Sequence, residues 1–140
     1  MAEETEFFER IFALTRDFER NFREPGAGVS TTQFQALSIL TQGEPITAMK
    51  MAERLRIAGP TATRALDSLE HRQLIVKERD PQDRRIVWLR LTESGQVIFR
   101  QERERQTEWV QSLMQRLTAE ERQVFLRLMI KLTREADFNV

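Results

Sequence analysis

The 140 residues include no cysteine, a single histidine, five glycines and four prolines. Without cysteine there is no disulfide, no thiolate nucleophile, no thiol-based redox sensing and no Cys-ligated zinc. Gly-rich phosphate loops and HExxH-type metal spacings are also missing. The lone histidine, His71, follows Glu70 and precedes Arg72, where a surface or phosphate-facing role suits it better than that of a general base. No catalytic residue, metal or cofactor is therefore expected, and the chain does not read as an enzyme. No apolar run approaches membrane-spanning length. The stretch "MAEETEFFERIF" is acidic where a signal peptide is basic, so a cytoplasmic location without membrane contact is expected.

Charge of one sign is not in excess either, since 22 Lys and Arg balance 22 Asp and Glu. The balance is uneven along the chain. Residues 1–46 carry four basic and eight acidic groups, and residues 93–140 carry eight of each. Residues 47–92 carry ten basic against six acidic groups, a local net charge of +4. A basic segment in a neutral chain is the electrostatic footprint expected for a polyanion partner.

Helical spacing dominates the rest. Phe7, Phe8, Ile11, Phe12, Phe18 and Phe22 form one apolar stripe, which Pro25, Gly26 and Gly28 interrupt. Ser30 with Gln33 has the form of a capping box opening "TTQFQALSILTQ", and Gly43 and Pro45 close that helix. Two short helices follow, "TAMKMAERLRI" and "GPTATRALDSLEHRQ", the second with Pro60 in its first turn. Its Ala62, Leu66 and Leu69 share one face and should pack inward. "LIVKER" and "RIVWLRL" read as strands joined by "DPQD". Trp88 lies on the strand face opposite Val87, Leu89 and Leu91, which suits a partly exposed ring. Thr92 is placed to cap a long helix over roughly 93–117, and Thr118 with Glu121 forms a second capping box before a final amphipathic helix. The charged run "RQERERQTEW" reads as a solvated face.

The order is helix, helix, helix–turn–helix, hairpin, helix, helix. It predicts a mainly α protein with a small β wing: a winged helix–turn–helix over 46–92, flanked by helical dimerisation regions at 1–45 and 93–140. The flanking helices are amphipathic and remote in sequence, so they should pack as a second layer.

The hairpin segment "RDPQDRRIVWLRLT" concentrates Arg79, Arg84, Arg85 and Arg90 around two aspartates, Asp80 and Asp83. Together with "MAERL", "PTATRALDSLE" and "LRLTESG", it resembles the MarR family, the multiple-antibiotic-resistance regulators of bacterial transcription. The likeness runs the length of the chain. It implies a homodimer that binds double-stranded DNA at a pseudo-palindromic operator, most often as a repressor, and that can be released by a small aromatic or phenolic ligand. Carried onto this sequence, it puts Pro60, Thr61, Thr63, Arg64 and Ser68 on the recognition helix and Arg84 and Arg85 on the wing. Arg85 is the residue implied to enter the minor groove. Asp83 would hold the wing tip, and Asp67 would pair with a wing arginine and set the wing's angle. Asp-Pro and Asp side chains also favour turns on their own account. Phe12, Phe34 and Phe99 are candidates for an effector cleft.

Four positions depart from the family pattern. Ala58 stands where a capping Ser is usual, Gly59 where a longer side chain is common, and Arg56 and Gln73 where glycine is expected. Ala58 and Gly59 lend weight to another reading, a winged-helix module that binds protein rather than DNA, and a second alternative is a small-molecule-binding protein without DNA binding. Steeply salt-dependent binding of a palindromic duplex separates the first reading from both.

Overall fold

A computed structural model describes residues 2–23 and 28–133; the break expected at Pro25 and Gly26 lies outside them. The elements are α1 (Ala2–Arg23), α2 (Thr31–Leu40), β1 (Ile46–Thr47), α3 (Ala48–Leu55), α4 (Gly59–His71), β2 (Ile75–Arg79), β3 (Val87–Leu91), α5 (Glu93–Met114) and α6 (Ala119–Leu132). This is the expected mainly α architecture, with one more strand than the sequence suggested. β1 has only two residues and little periodicity to detect. It pairs antiparallel with β3, which lies between β1 and β2.

Local chemistry sets the helix ends. Ser30 and Gln33 close a reciprocal capping box on α2, and Thr118 and Glu121 close another on α6. Thr92 Oγ1 accepts from the Gly95 amide at the start of α5. Ala58 makes no side-chain bond at the start of α4. Gln73 stands just past the other end of α4 at φ 61°, while the Leu74 amide bonds back to the Leu69 carbonyl at 2.9 Å. That is the left-handed closure that glycine favours. Ala58→Ser should therefore stabilise by about 1 kcal/mol. Gln73→Gly should add about 0.5–1 kcal/mol by relieving the left-handed backbone. Both are read as a shifted urea midpoint at unchanged slope.

The core draws on α2, α3, α4 and the sheet. Leu37, Met51, Leu66, Leu69 and Ile75 are fully buried, and Phe99 of α5 joins them. Ala62, Leu66 and Leu69 form the inward face of α4, as their spacing predicted. α2 was grouped by sequence with the flanking region 1–45. Its Ala36, Leu37, Ile39 and Leu40 instead pack into the core of the winged helix, because its apolar face is nearly complete and needs cover on several sides.

A ladder of rings ties α1 to this core. Phe18 meets Phe22 (centroids 4.9 Å) and Trp109 (5.5 Å), Phe22 meets Phe34 (5.6 Å), and Phe34 stacks on Phe99 (5.1 Å). Beside it lies a polar knot. Glu102 is only 1 % exposed and accepts from Arg105 and Gln106 on its own helix. Arg105 donates to the Asn21 carbonyl, and Asn21 Nδ2 donates to Gln106 Oε1. The charged run of α5 is thus not a wholly solvated face: Glu102 and Gln106 point inward, Glu102 accepting from its own helix and Gln106 also meeting Asn21 of α1. The first half of α1 and most of α6 have no such cover. Phe7, Phe8, Phe12, Leu126, Ile130 and Leu132 are all exposed.

Candidate nucleic-acid interface

α4 begins at Gly59 with Pro60 in its first turn, and its outer face carries Pro60, Thr61, Thr63, Arg64 and Ser68, all exposed. Burial of Ala62, Leu66 and Leu69 forces these residues outward. The Arg64 side chain makes no ion pair or hydrogen bond among the described residues, so its five donors are available to an incoming partner. Short polar side chains and an unengaged guanidinium at the start of a helix suit base edges, and the helix N-terminus suits phosphate.

The wing is organised by Asp80. Its carboxylate accepts from the Gln82 and Asp83 amides and, at 3.0 Å, from Trp88 Nε1. These bonds hold its pKa below the usual aspartate range, the indole N–H contributing most. The two amide bonds are the turn chemistry expected of Asp-Pro, whereas the indole, eight residues away, reaches the carboxylate only in the folded hairpin. Asp83 grips Arg85 through both Nε and Nη2 at 3.0 Å and also caps the Arg85 amide. The guanidinium holds the Asp83 carboxyl low and is itself raised in return. Arg85 is therefore held by an exposed pair, while the Arg84 side chain makes no hydrogen bond or ion pair among the described residues. The Arg84 carbonyl accepts from Arg79.

Both aspartates are ionised when they make these bonds. A depressed folded pKa means that the contribution is complete above the ordinary aspartate value and is lost as pH falls through the lower folded value. The wing should hold its shape from pH 8 to 5 and loosen only below about pH 4. In a Trp109→Phe protein, Trp88 emission should stay constant over the first range and shift in the second. A shift near pH 6 would contradict this origin.

Asp67 is not paired with a wing arginine. Lys77 of β2 bonds its carboxylate and lies 4.0 Å from Glu70. The strand's twist brings Lys77, whose side chain is 20 % exposed, under α4, whereas the wing arginines lie farther out at the tip. The three effector candidates are not together either. Phe34 and Phe99 stack, but Phe12 stacks on Phe8 at 5.9 Å on the exposed part of α1.

An outward helix with an unengaged arginine, beside a rigid cationic hairpin, defines a winged helix–turn–helix. A MarR family model matches residues 29–87, which run from just before α2 through β2 and the hairpin tip to the start of β3. The uncharacterized HTH-type transcriptional regulator YwhA of Bacillus subtilis is 32% identical over 96 residues, covering 69% of each chain. A mutant MarR from E. coli, solved in complex with operator DNA, superposes with a TM-score of 0.75 at 24% identity, over 94% of this chain and 96% of that one. The PcaV transcriptional regulator of Streptomyces coelicolor, solved with its natural ligand, gives 0.71 at 25% identity over 87% of each chain. The chain belongs to the MarR family. It is a transcriptional regulator with a DNA-binding winged helix, and not an enzyme.

Proposed function

We propose that the protein is a homodimeric, cytoplasmic repressor that reads a pseudo-palindromic operator and is released by a small aromatic or phenolic ligand. The carrying observation is Arg64, exposed and unengaged on the outer face of α4 beside the wing. Pro60, Thr61, Thr63 and Ser68 accompany it at the major groove, with Arg64 bidentate to a guanine. Arg84 and Arg85 serve the flanking minor groove, whose narrow A·T-rich form attracts arginine. Asp83 aims Arg85, and Asp67 fixes the wing through Lys77.

The apolar faces of α1 and α6 support a dimer. Phe7, Phe8, Ile11 and Phe12 on α1 and Leu126, Leu128, Ile130 and Leu132 on α6 are exposed, and clustered apolar exposure of this kind marks a protein–protein contact. With α1, α5 and α6 holding two chains together, their recognition helices would fall about one helical turn apart, roughly 34–36 Å. Phe34 and Phe99 sit where α2 meets α5, so a ligand inserted there would alter the spacing of the two reading heads. It acts only if it binds the two spacings with different affinity.

Selection from random duplexes, followed by binding at graded salt, tests the reading. Affinity should fall steeply with salt, by about 0.9 log units per log unit of salt for each phosphate neutralised. Arg64→Ala should relax preference at one base pair, at a loss of about 1–3 kcal/mol. Arg85→Ala should weaken binding most at A·T-rich flanks. Unchanged affinity for Arg85→Ala on every duplex would remove the wing from the interface. A protein that sediments as a single chain would end the dimer reading.

A further inference from the structure

A second concave surface lies on the side of the sheet turned away from α4. It is a groove of about 660 Å³ between the α2–β1 connection, β3 and the first turn of α5. Strand alternation directs Trp88, Arg90 and Glu78 to this side, while Val87 and Lys77 line the other, next to α4.

The electrostatics here oppose those of the DNA face. Glu78 and Arg90 neutralise each other at 2.7 Å. Glu44 and Glu93 are exposed, line the groove, and have no counter-charge among the described residues. The groove therefore carries a net charge of −2, on a module whose residues 47–92 sum to +4. The positive end of α5 is already answered by Thr92 Oγ1, which caps the Gly95 amide.

Two features make the groove more than an acidic surface. The half-buried Trp88 ring lines it, with its N–H already committed to Asp80, so the π-face is what it offers. The edge of β3 also opens into it. Thr92 N donates to the Leu74 carbonyl, so by alternation the Leu91 N–H and C=O point toward the β1 side. β1 ends at Ile46, opposite Leu89, and Pro45 precedes it. Leu91 therefore has no strand partner on that side and presents a donor and an acceptor to the groove.

We propose that this groove binds a small organic monocation with a flat aromatic body, such as an amidinium or arylammonium. The ring lies on Trp88, the cation sits between Glu44 and Glu93, and one of its N–H groups donates to the Leu91 carbonyl. An aromatic ring stacked on an indole gains from offset packing as well as from buried area. The volume lies within the range of small-ligand sites. The same two carboxylates repel organic anions, and they keep this face away from DNA. The site is separate from the Phe34–Phe99 region, and testing it requires no DNA.

The test uses three isosteres: benzamidinium, benzamide and benzoate. Each is titrated into a Trp109→Phe protein with Trp88 emission as readout, and the Leu91 amide is followed by NMR. Benzamidinium should saturate with a Kd on the order of 1 mM, as befits a fragment. Benzamide should bind about tenfold more weakly, and benzoate should not saturate. Glu44→Gln with Glu93→Gln should weaken benzamidinium about tenfold, since exposed ion pairs are individually modest. Glu44→Gln alone, in a loop, gives a smaller loss and serves if the double variant folds poorly. Benzoate binding equal to benzamidinium would overturn the proposal. So would undiminished binding by both carboxamide variants, or a Leu91 amide that does not move at saturation.

Discussion

Gly95→Ala should destabilise the protein by about 3 kcal/mol or more, lowering the melting midpoint by roughly 10 °C. A Cβ at Gly95 would stand 2.0 Å from the Leu74 carbonyl oxygen and 2.7 Å from Leu91 Cδ1. The leucine methyl can turn away, but the carbonyl cannot. It belongs to the backbone leading into β2 and accepts the Thr92 amide at 3.1 Å, the bond that closes the base of the wing. α5 would have to lift off the sheet, and the Thr92 cap on residue 95 would stretch with it. Gly59→Ala is the matched control. Nothing lies within 4 Å of a Cβ there, and alanine favours the helix, so stability should be unchanged or slightly higher. Equal melting curves for Gly95→Ala and wild type would show that the close approach of α5 to residue 74 is wrong.

Glu102→Leu should be nearly as damaging, at about 3 kcal/mol. Breaking a buried ion pair by removing one partner typically costs about 3–5 kcal/mol, because the remaining charge and donors lose their acceptor. The lower end applies here. Arg105 is 23% exposed and keeps its bond to the Asn21 carbonyl. Gln106 is worse placed, being 7 % exposed and losing the oxygen that accepts its amide. Because Gln106 and Arg105 bond the last turns of α1 alongside the ring ladder, protection of the α1 amides from hydrogen exchange should fall more than that of α4. Glu102→Leu with Arg105→Leu should cost less than the sum of the single changes, since the pair is coupled. Strict additivity in that cycle would mean the contact is not made.

The parts legible in the sequence share one property: they are set by neighbours three or four residues apart on a helix, or two apart on a strand. Ser30 with Gln33, Thr118 with Glu121, and the inward triplet Ala62, Leu66 and Leu69 need nothing beyond the helical repeat. The wing was legible because DPQD and the alternating strand after it encode a hairpin locally, and the exposure of Arg64 follows from which face of its helix is apolar. Lys77 was missed as the partner of Asp67 because a cation on β2 and one at the hairpin tip look alike until strand twist brings one of them under α4. Glu102 was hidden for a similar reason. In a run alternating arginine and glutamate, nothing local separates the carboxylate that turns inward from those that stay wet.

The sequence by itself determined the order of the helices and the hairpin, the ends of most helices, the basic middle third and the outward chemistry of α4. These follow from short-range sterics, capping and charge counts. Only the tertiary structure decided that α2 joins the winged-helix core, that Asp80 orders the wing through Trp88, that residue 95 must lack a side chain, and that Asn21 of α1 is bonded by two α5 side chains which a buried carboxylate holds in place. Each of those depends on two surfaces meeting at van der Waals distance, and that distance is set by packing, to which no local pattern corresponds.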